Sequence, residues 1–382
     1  MKKEIVIFTS IAIFSMTMTA AGIENEQKGY VGSKACEPCH AEAYDAWKAS
    51  KHASMFKPAP DKPPVCKGCH TTGMNALDQT SMEDFIGCEA CHGPGREHIA
   101  NAGDVDKTIS TNSADICGRC HSGYQPGDSG KWMTAYRPGM KLSDIAGLKL
   151  IPVDPEKLPP PVKNIHPSLT YNMWLVSGHG KAPDRNIQIG GKEWTGPISC
   201  VACHNPHRSD NPYQLAMKPE KLCAECHFQD VVLKGRGAKG IEETRSLHTA
   251  IPCFSCHMTE GNHLMKVLRP DDPDLAEDRT DSCSDCHEVK DREIRAHQIQ
   301  DWEAWYKESM DPIQADLKTV AIALKKNPDL LNEELKAKLD DIKSNLSIII
   351  KDGSNGVHNL DYALEIMALA KRHLKEIKKA IK

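Results

Sequence analysis

Aromatic side chains are scarce in this chain. It has six Phe, and all aromatics together make up 5% of 382 residues. That is little for a conventional apolar core of this length. Alternating strand patterns are almost absent, which argues against a sheet-based fold. Beyond residue 18 no apolar run approaches transmembrane length. Charge of one sign is also missing: 48 Lys and Arg face 52 Asp and Glu, for a formal charge of −4. The basic excess that nucleic-acid binding draws on is therefore not there.

Cysteine outside one repeated motif is absent too, so no thiol is left over for a disulfide framework. All 16 cysteines fall in eight copies of C-x-x-C-H. The first four are Cys36, Cys39, His40; Cys66, Cys69, His70; Cys88, Cys91, His92; and Cys117, Cys120, His121. The second four are Cys200, Cys203, His204; Cys223, Cys226, His227; Cys253, Cys256, His257; and Cys283, Cys286, His287. Two thiols at this spacing can add to the two vinyl groups of one porphyrin. The imidazole that follows then lies where it can ligate the iron from one face. Zinc sites, redox dithiols and half-cystines also use C-x-x-C, but none requires histidine directly after the second cysteine. The expectation is eight covalently bound haem c groups, with these eight histidines as proximal ligands. Their porphyrins would supply the missing apolar surface, and the chain is expected not to fold without them. Haem propionates would add negative charge for many of the Lys and Arg side chains to neutralise.

Residues 1–21 read as a signal peptide, with Lys2 and Lys3, an apolar stretch over 5–18 and small residues Ala20, Ala21 and Gly22. Covalent haem attachment outside the cytoplasmic membrane agrees with export, so a periplasmic or extracellular protein is expected, with no transmembrane segment in the mature chain. The motif starts are 30, 22, 29, 83, 23, 30 and 30 residues apart, two sets of four around one long interruption. The expected organisation is an N-terminal tetrahaem region over 22–150, a second tetrahaem region with a long loop insertion over 151–296, and a C-terminal helical region over 297–382. Leu158, Pro159, Pro160 and Pro161 mark the interruption as loop rather than helix. Its Tyr171, Trp174 and Trp194 read as packing against porphyrins. Short helices should flank the motifs, as over 41–50, where Tyr44 and Trp47 share a face. Three longer ones are expected over 294–326, over 332–351 with Gly353 as its stop, and from Asn359, a plausible N-cap. The fold class is mainly α with much irregular loop, organised around haems, with a C-terminal helical bundle and little or no sheet. The bundle reads as a cover over the last haems, or alternatively as a homo-oligomer interface.

A haem that only carries electrons needs a sixth ligand. Ten histidines lie outside the motifs. His98, His207 and His263 lie three to six residues after a motif histidine, and His248 lies five before Cys253. His52 follows the first helix, His179 sits between two glycines, and His358 precedes the last helix. These seven are the distal candidates. His166 and His297 stand in reserve, and His373 reads as a solvated surface residue.

The N-terminal part, residues 30–121, resembles the cytochrome c-554 family. The residues that carry this are Tyr30, Val31, Gly32 and Ser33, the first motif with Tyr44, Trp47, Ser50 and His52, and the stretch from Gly87 to His98 around the third motif. The resemblance implies that His52 and His98 reach across to ligate neighbouring haems. The second half resembles the wider superfamily of hydroxylamine oxidoreductases, octahaem cytochromes and pentahaem nitrite reductases. It does so through Cys203-His204-Asn205-Pro206-His207, Cys256-His257-Met258 with His263, and Gly356-Val357-His358-Asn359. That resemblance implies distal roles for His207, His263 and His358. The nitrite reductases often carry lysine in place of a motif histidine, and all eight motifs here keep histidine. The tyrosine that hydroxylamine oxidoreductases cross-link to porphyrin has no identifiable match.

The function expected is electron transfer between other redox proteins through a row of mostly bis-histidine haems. The alternative is an oxidoreductase acting on a small nitrogen or sulfur compound at one five-coordinate haem, with its pocket in the interruption near Tyr136, Arg137 and Tyr171. A third reading is a subunit of an extracellular haem filament.

Overall fold

The computed structural model describes residues 29–54, 64–75, 80–101, 103, 104, 106, 112–125, 136–161, 169–189, 192–207 and 210–381. The expected signal peptide and His166 lie outside them. The chain forms two compact units: residues up to 155 with 159–186 and 194–217, and residues 218–382 with 156–158 and 187–193.

In the second unit, three long helices follow the last motif: α3 (Arg292–Lys326), α4 (Glu333–Asp352) and α5 (Leu360–Ala380). Their ends are set by local chemistry. The Asn332 side chain accepts from Leu335 N and Asn359 from Tyr362 N, satisfying donors that a helix start leaves open. Gly353 ends α4 in the left-handed conformation, φ 72°, which costs glycine nothing. Tyr306, Met310, Ile313 and Val320 of α3 recur at three- and four-residue steps, as do Leu339, Ile342, Leu346 and Ile349 of α4. Both stripes converge on Ile366, Met367, Leu374 and Ile377 of α5. This is an ordinary helical core.

The bundle also grips the chain around residue 238. Asn345 bonds both the N–H and the carbonyl of Lys239. Tyr362 accepts from Ala238 N and donates to the Arg236 carbonyl. Asn359 donates to the carbonyls of Val232 and Thr244. The segment between the sixth and seventh motifs is thereby fixed on the helices.

The first unit has no such bundle among its described residues. Helix α1 (Ala41–Lys48) buries Trp47, which donates to the Ile86 carbonyl at 2.9 Å. The long interruption departs from the expected loop, because it holds helix α2 (Thr170–Val176) and a hairpin of β1 (Arg185–Ile189) and β2 (Lys192–Gly196). The prolines at 159–161 lie ahead of α2 and do not interrupt it. Its Tyr171 donates to Asp115 at 3.0 Å, and Asn172 clamps Gly123 through both its N–H and its carbonyl. These contacts tie the interruption back to the fourth motif. Tyr171 joins Tyr124, Tyr136, Leu142 and Ile145 in a small apolar cluster.

Leu374 is fully buried at the centre of the bundle. Leu374→Ala should lower unfolding free energy by about 3 kcal/mol, read from denaturant melts of the haem-loaded protein. Ile350→Ala, on an exposed face, should change it by less than about 0.5 kcal/mol.

Candidate haem centres

Each motif folds as one helical turn. The histidine N–H donates to the carbonyl of the first cysteine in His40–Cys36 (3.0 Å), His121–Cys117 (2.9 Å), His204–Cys200 (2.8 Å), His227–Cys223 (2.9 Å), His257–Cys253 (3.0 Å) and His287–Cys283 (2.9 Å). The second and third motifs lie inside the short helices Pro64–His70 and Cys88–His92. A single turn puts both thiols and the imidazole within reach of one planar ligand. No two of the sixteen cysteines are joined in a disulfide. Among the described residues no group of three or more His, Cys, Asp or Glu side chains converges as a metal-ion site.

Five of the seven histidines singled out as distal candidates face a motif histidine from a different motif segment. Ring centroids are 6.1 Å apart for His98 and His40, 6.3 Å for His52 and His121, and 5.8 Å for His207 and His92. They are 6.3 Å apart for His248 and His287, and 6.2 Å for His358 and His257. Two imidazoles bound to one metal at about 2 Å each hold their centroids about 6 Å apart, so the donor pairs fit an iron between them. His179 and His263 are half-buried, His297 is exposed on α3, and His373 departs from a solvated surface residue in that its Nδ1 is shielded from solvent.

The rings are oriented from behind. His98 Nδ1 lies 2.9 Å from the Asp104 carbonyl, His204 Nδ1 2.9 Å from Tyr213, His257 Nδ1 3.3 Å from Met265 and His263 Nδ1 2.8 Å from Gly261. A carbonyl can only accept, so Nδ1 carries the proton and Nε2 is left with its lone pair. Burial holds His52, His207 and His257 below the usual imidazole range, which keeps them in the neutral form that ligates.

The motifs also touch one another. Cysteines of different motifs lie beside one another in the pairs Cys36–Cys88, Cys69–Cys120, Cys117–Cys200 and Cys223–Cys253. Cys91 is pushed up to about 12 by burial and by the neighbouring Cys117 and Cys120 thiols.

Sequence reasoning did not single out the carboxylates that hold the first unit together. Glu89, a spacer residue inside the third motif, is buried and accepts from Val31 N (3.0 Å), Gly32 N (2.8 Å) and Gly95 N (2.7 Å). Glu83 accepts from Ser33 N at 2.7 Å and from Ser33 Oγ at 2.8 Å, while that hydroxyl accepts from Cys88 N. These bonds dock the segment before the first motif on the third.

Comparison with known proteins places these features in context. The family described as cytochrome c554 and c-prime matches residues 35–93, and a doubled CXXCH motif matches residues 195–231. Cytochrome c-554 of Nitrosomonas europaea is 27% identical, covering 30% of this chain and 67% of the relative. Among solved structures, the outer cell wall cytochrome OcwA superposes with a TM-score of 0.71 at 22% identity, covering 91% of this chain and 100% of that one. The octahaem sulfite reductase MccA of Wolinella succinogenes gives a TM-score of 0.42 at 15% identity, over 78% and 53%. The chain is a multihaem c-type cytochrome. Its C-x-x-C-H motifs imply covalently bound haem c.

Glu89→Ala removes the acceptor from three main-chain N–H groups and should cost about 3 kcal/mol. Glu37→Ala, at an exposed ion pair with Lys34, should cost less than about 0.5 kcal/mol. Thermal melts of the loaded proteins measure both.

Proposed function

We propose that this cytochrome carries eight haems and passes electrons between exported redox proteins. The observation that carries the reading is the imidazole pairing. Five motif histidines each have a second imidazole at 5.8–6.3 Å. An iron held on both faces by strong ligands offers substrate no open position and reorganises little on changing valence. Bound haem c supplies a one-electron ferric–ferrous couple. The protein supplies sixteen thiols for attachment, motif histidines on one face, and His98, His52, His207, His248 and His358 on the other.

Contacts between motifs support conduction. In the first unit the thiol contacts link the first motif to the third, the second to the fourth and the fourth to the fifth. In the second unit they link the sixth to the seventh. Neighbouring porphyrins attached there would be close enough for direct transfer. The basic and apolar N-terminal sequence supports the exported location in this reading. No helix among the described residues is long and apolar enough to cross a membrane.

Two measurements test the reading. The intact mass of the purified protein should equal the chain plus eight porphyrins; a smaller number rejects the count. Electron paramagnetic resonance of the oxidised protein should show low-spin ferric iron throughout. A high-spin signal that changes on adding nitrite, hydroxylamine or sulfite would replace the carrier with an oxidoreductase at one five-coordinate haem.

A further inference from the structure

His358 differs from the other oriented histidines in what stands behind its ring. His98, His204, His257 and His263 address main-chain carbonyls. His358 Nδ1 lies 2.8 Å from Oδ1 of Asp352, whose side chain is 3% exposed. The other carboxylate oxygen accepts from Ser354 N at 3.3 Å and from the Ser354 hydroxyl. That hydroxyl in turn accepts from His358 N at 3.1 Å. Ring and main chain of His358 are thus both pinned to one carboxylate–serine pair. The loop that carries them is tightly fixed, since Gly353, Asn355 and Gly356 all have positive φ, and a Cβ on Gly356 would meet Leu360 at 3.0 Å.

Folding alone does not call for a carboxylate there. Asp352 is the last residue of α4, where the helix dipole disfavours negative charge, and burial disfavours it further. Gly353 already ends the helix. What the carboxylate does have is a histidine N–H in front of it, and the His257 ring lies 6.2 Å from that histidine between centroids.

We propose that Asp352 is a positioning residue that tunes the haem of the seventh motif. By drawing on the Nδ1 proton it makes His358 a stronger donor than a carbonyl-backed histidine. A stronger anionic-like donor stabilises ferric over ferrous iron, so this haem sits lower in potential than it would with a neutral partner. This rests on the reading of His358 as the distal ligand opposite His257.

The test is a spectroelectrochemical titration of the haem-loaded protein and its variants. Asp352→Asn keeps the size and one acceptor oxygen but loses the charge. It should raise one midpoint by roughly a tenfold change in ferric preference, about 59 mV for one electron, and leave the others in place. Ser354→Ala strips a donor from the carboxylate, frees it to pull harder on the imidazole proton, and should move the same midpoint downward. A purely structural role gives no such opposed pair of shifts. Midpoints that stay at wild-type values in both variants, or that move in the same direction, overturn the proposal. His358→Ala separates the two levels. It should produce one high-spin haem; if every iron stays low-spin, the ligation reading fails and this inference with it. A high-spin haem in His358→Ala alongside unmoved midpoints in Asp352→Asn overturns the tuning alone.

Discussion

Under the ligation proposed, the fold of this cytochrome depends on a cofactor that is held from two places at once. One helical turn presents two thiols and an imidazole, and the i to i+4 bond from cysteine carbonyl to histidine N–H keeps those three groups together. The second imidazole comes from elsewhere: His207 for His92, and His358 for His257. Under the ligation proposed, each such pair is a cross-link between distant stretches of chain, made when metal and porphyrin are in place. Binding free energy of that kind is folding free energy. It accounts for the small aromatic content without requiring a second, unseen core.

The two units solve the same problem with different materials. The C-terminal helices would be at home in a protein without cofactor, since their stripes interlock as in any bundle. They serve the haem-binding segment by gripping it through Asn345, Tyr362 and Asn359. The first unit has only a small apolar cluster and fixes its motifs with buried polar bonds instead, above all through Glu89 and Glu83. Such bonds hold direction and register, which apolar contact leaves loose. Where haem edges must be set at close range, register is the quantity that matters.

This division also explains what could be read from sequence. The motifs are local, so their residues and spacing were plain. The ends of α3, α4 and α5 are local too: asparagine caps and Gly353 placed them within two residues. Glu89 was hidden because its partners, Val31 and Gly32, are far away in sequence, and because a spacer position in C-x-x-C-H carries no chemical requirement of its own. The only hint was that residues 30–33 and 87–98 both belong to the stretch that resembles cytochrome c-554. The structure shows those two segments bonded to each other. Helix α2 was missed for the opposite reason. Prolines at 159–161 dominate the composition of the interruption but act only on residues beside them.

Identical first ligands leave one further problem for a chain that moves electrons. If every site offered the same donors in the same surroundings, nothing local would distinguish one station from the next. The remaining levers are charge, burial and the partner behind each histidine, and the structure varies the charge and the partner. Arg119 sits half-buried inside the fourth motif beside Cys69 and Cys91, stacked on Tyr136 and donating to the Ala90 and Gly68 carbonyls. A fixed positive charge there favours the ferrous state in that cluster. In the second unit a carboxylate backs His358. A sequence motif can say how many sites it offers, but what surrounds each of them is set by its variable positions and by residues outside it.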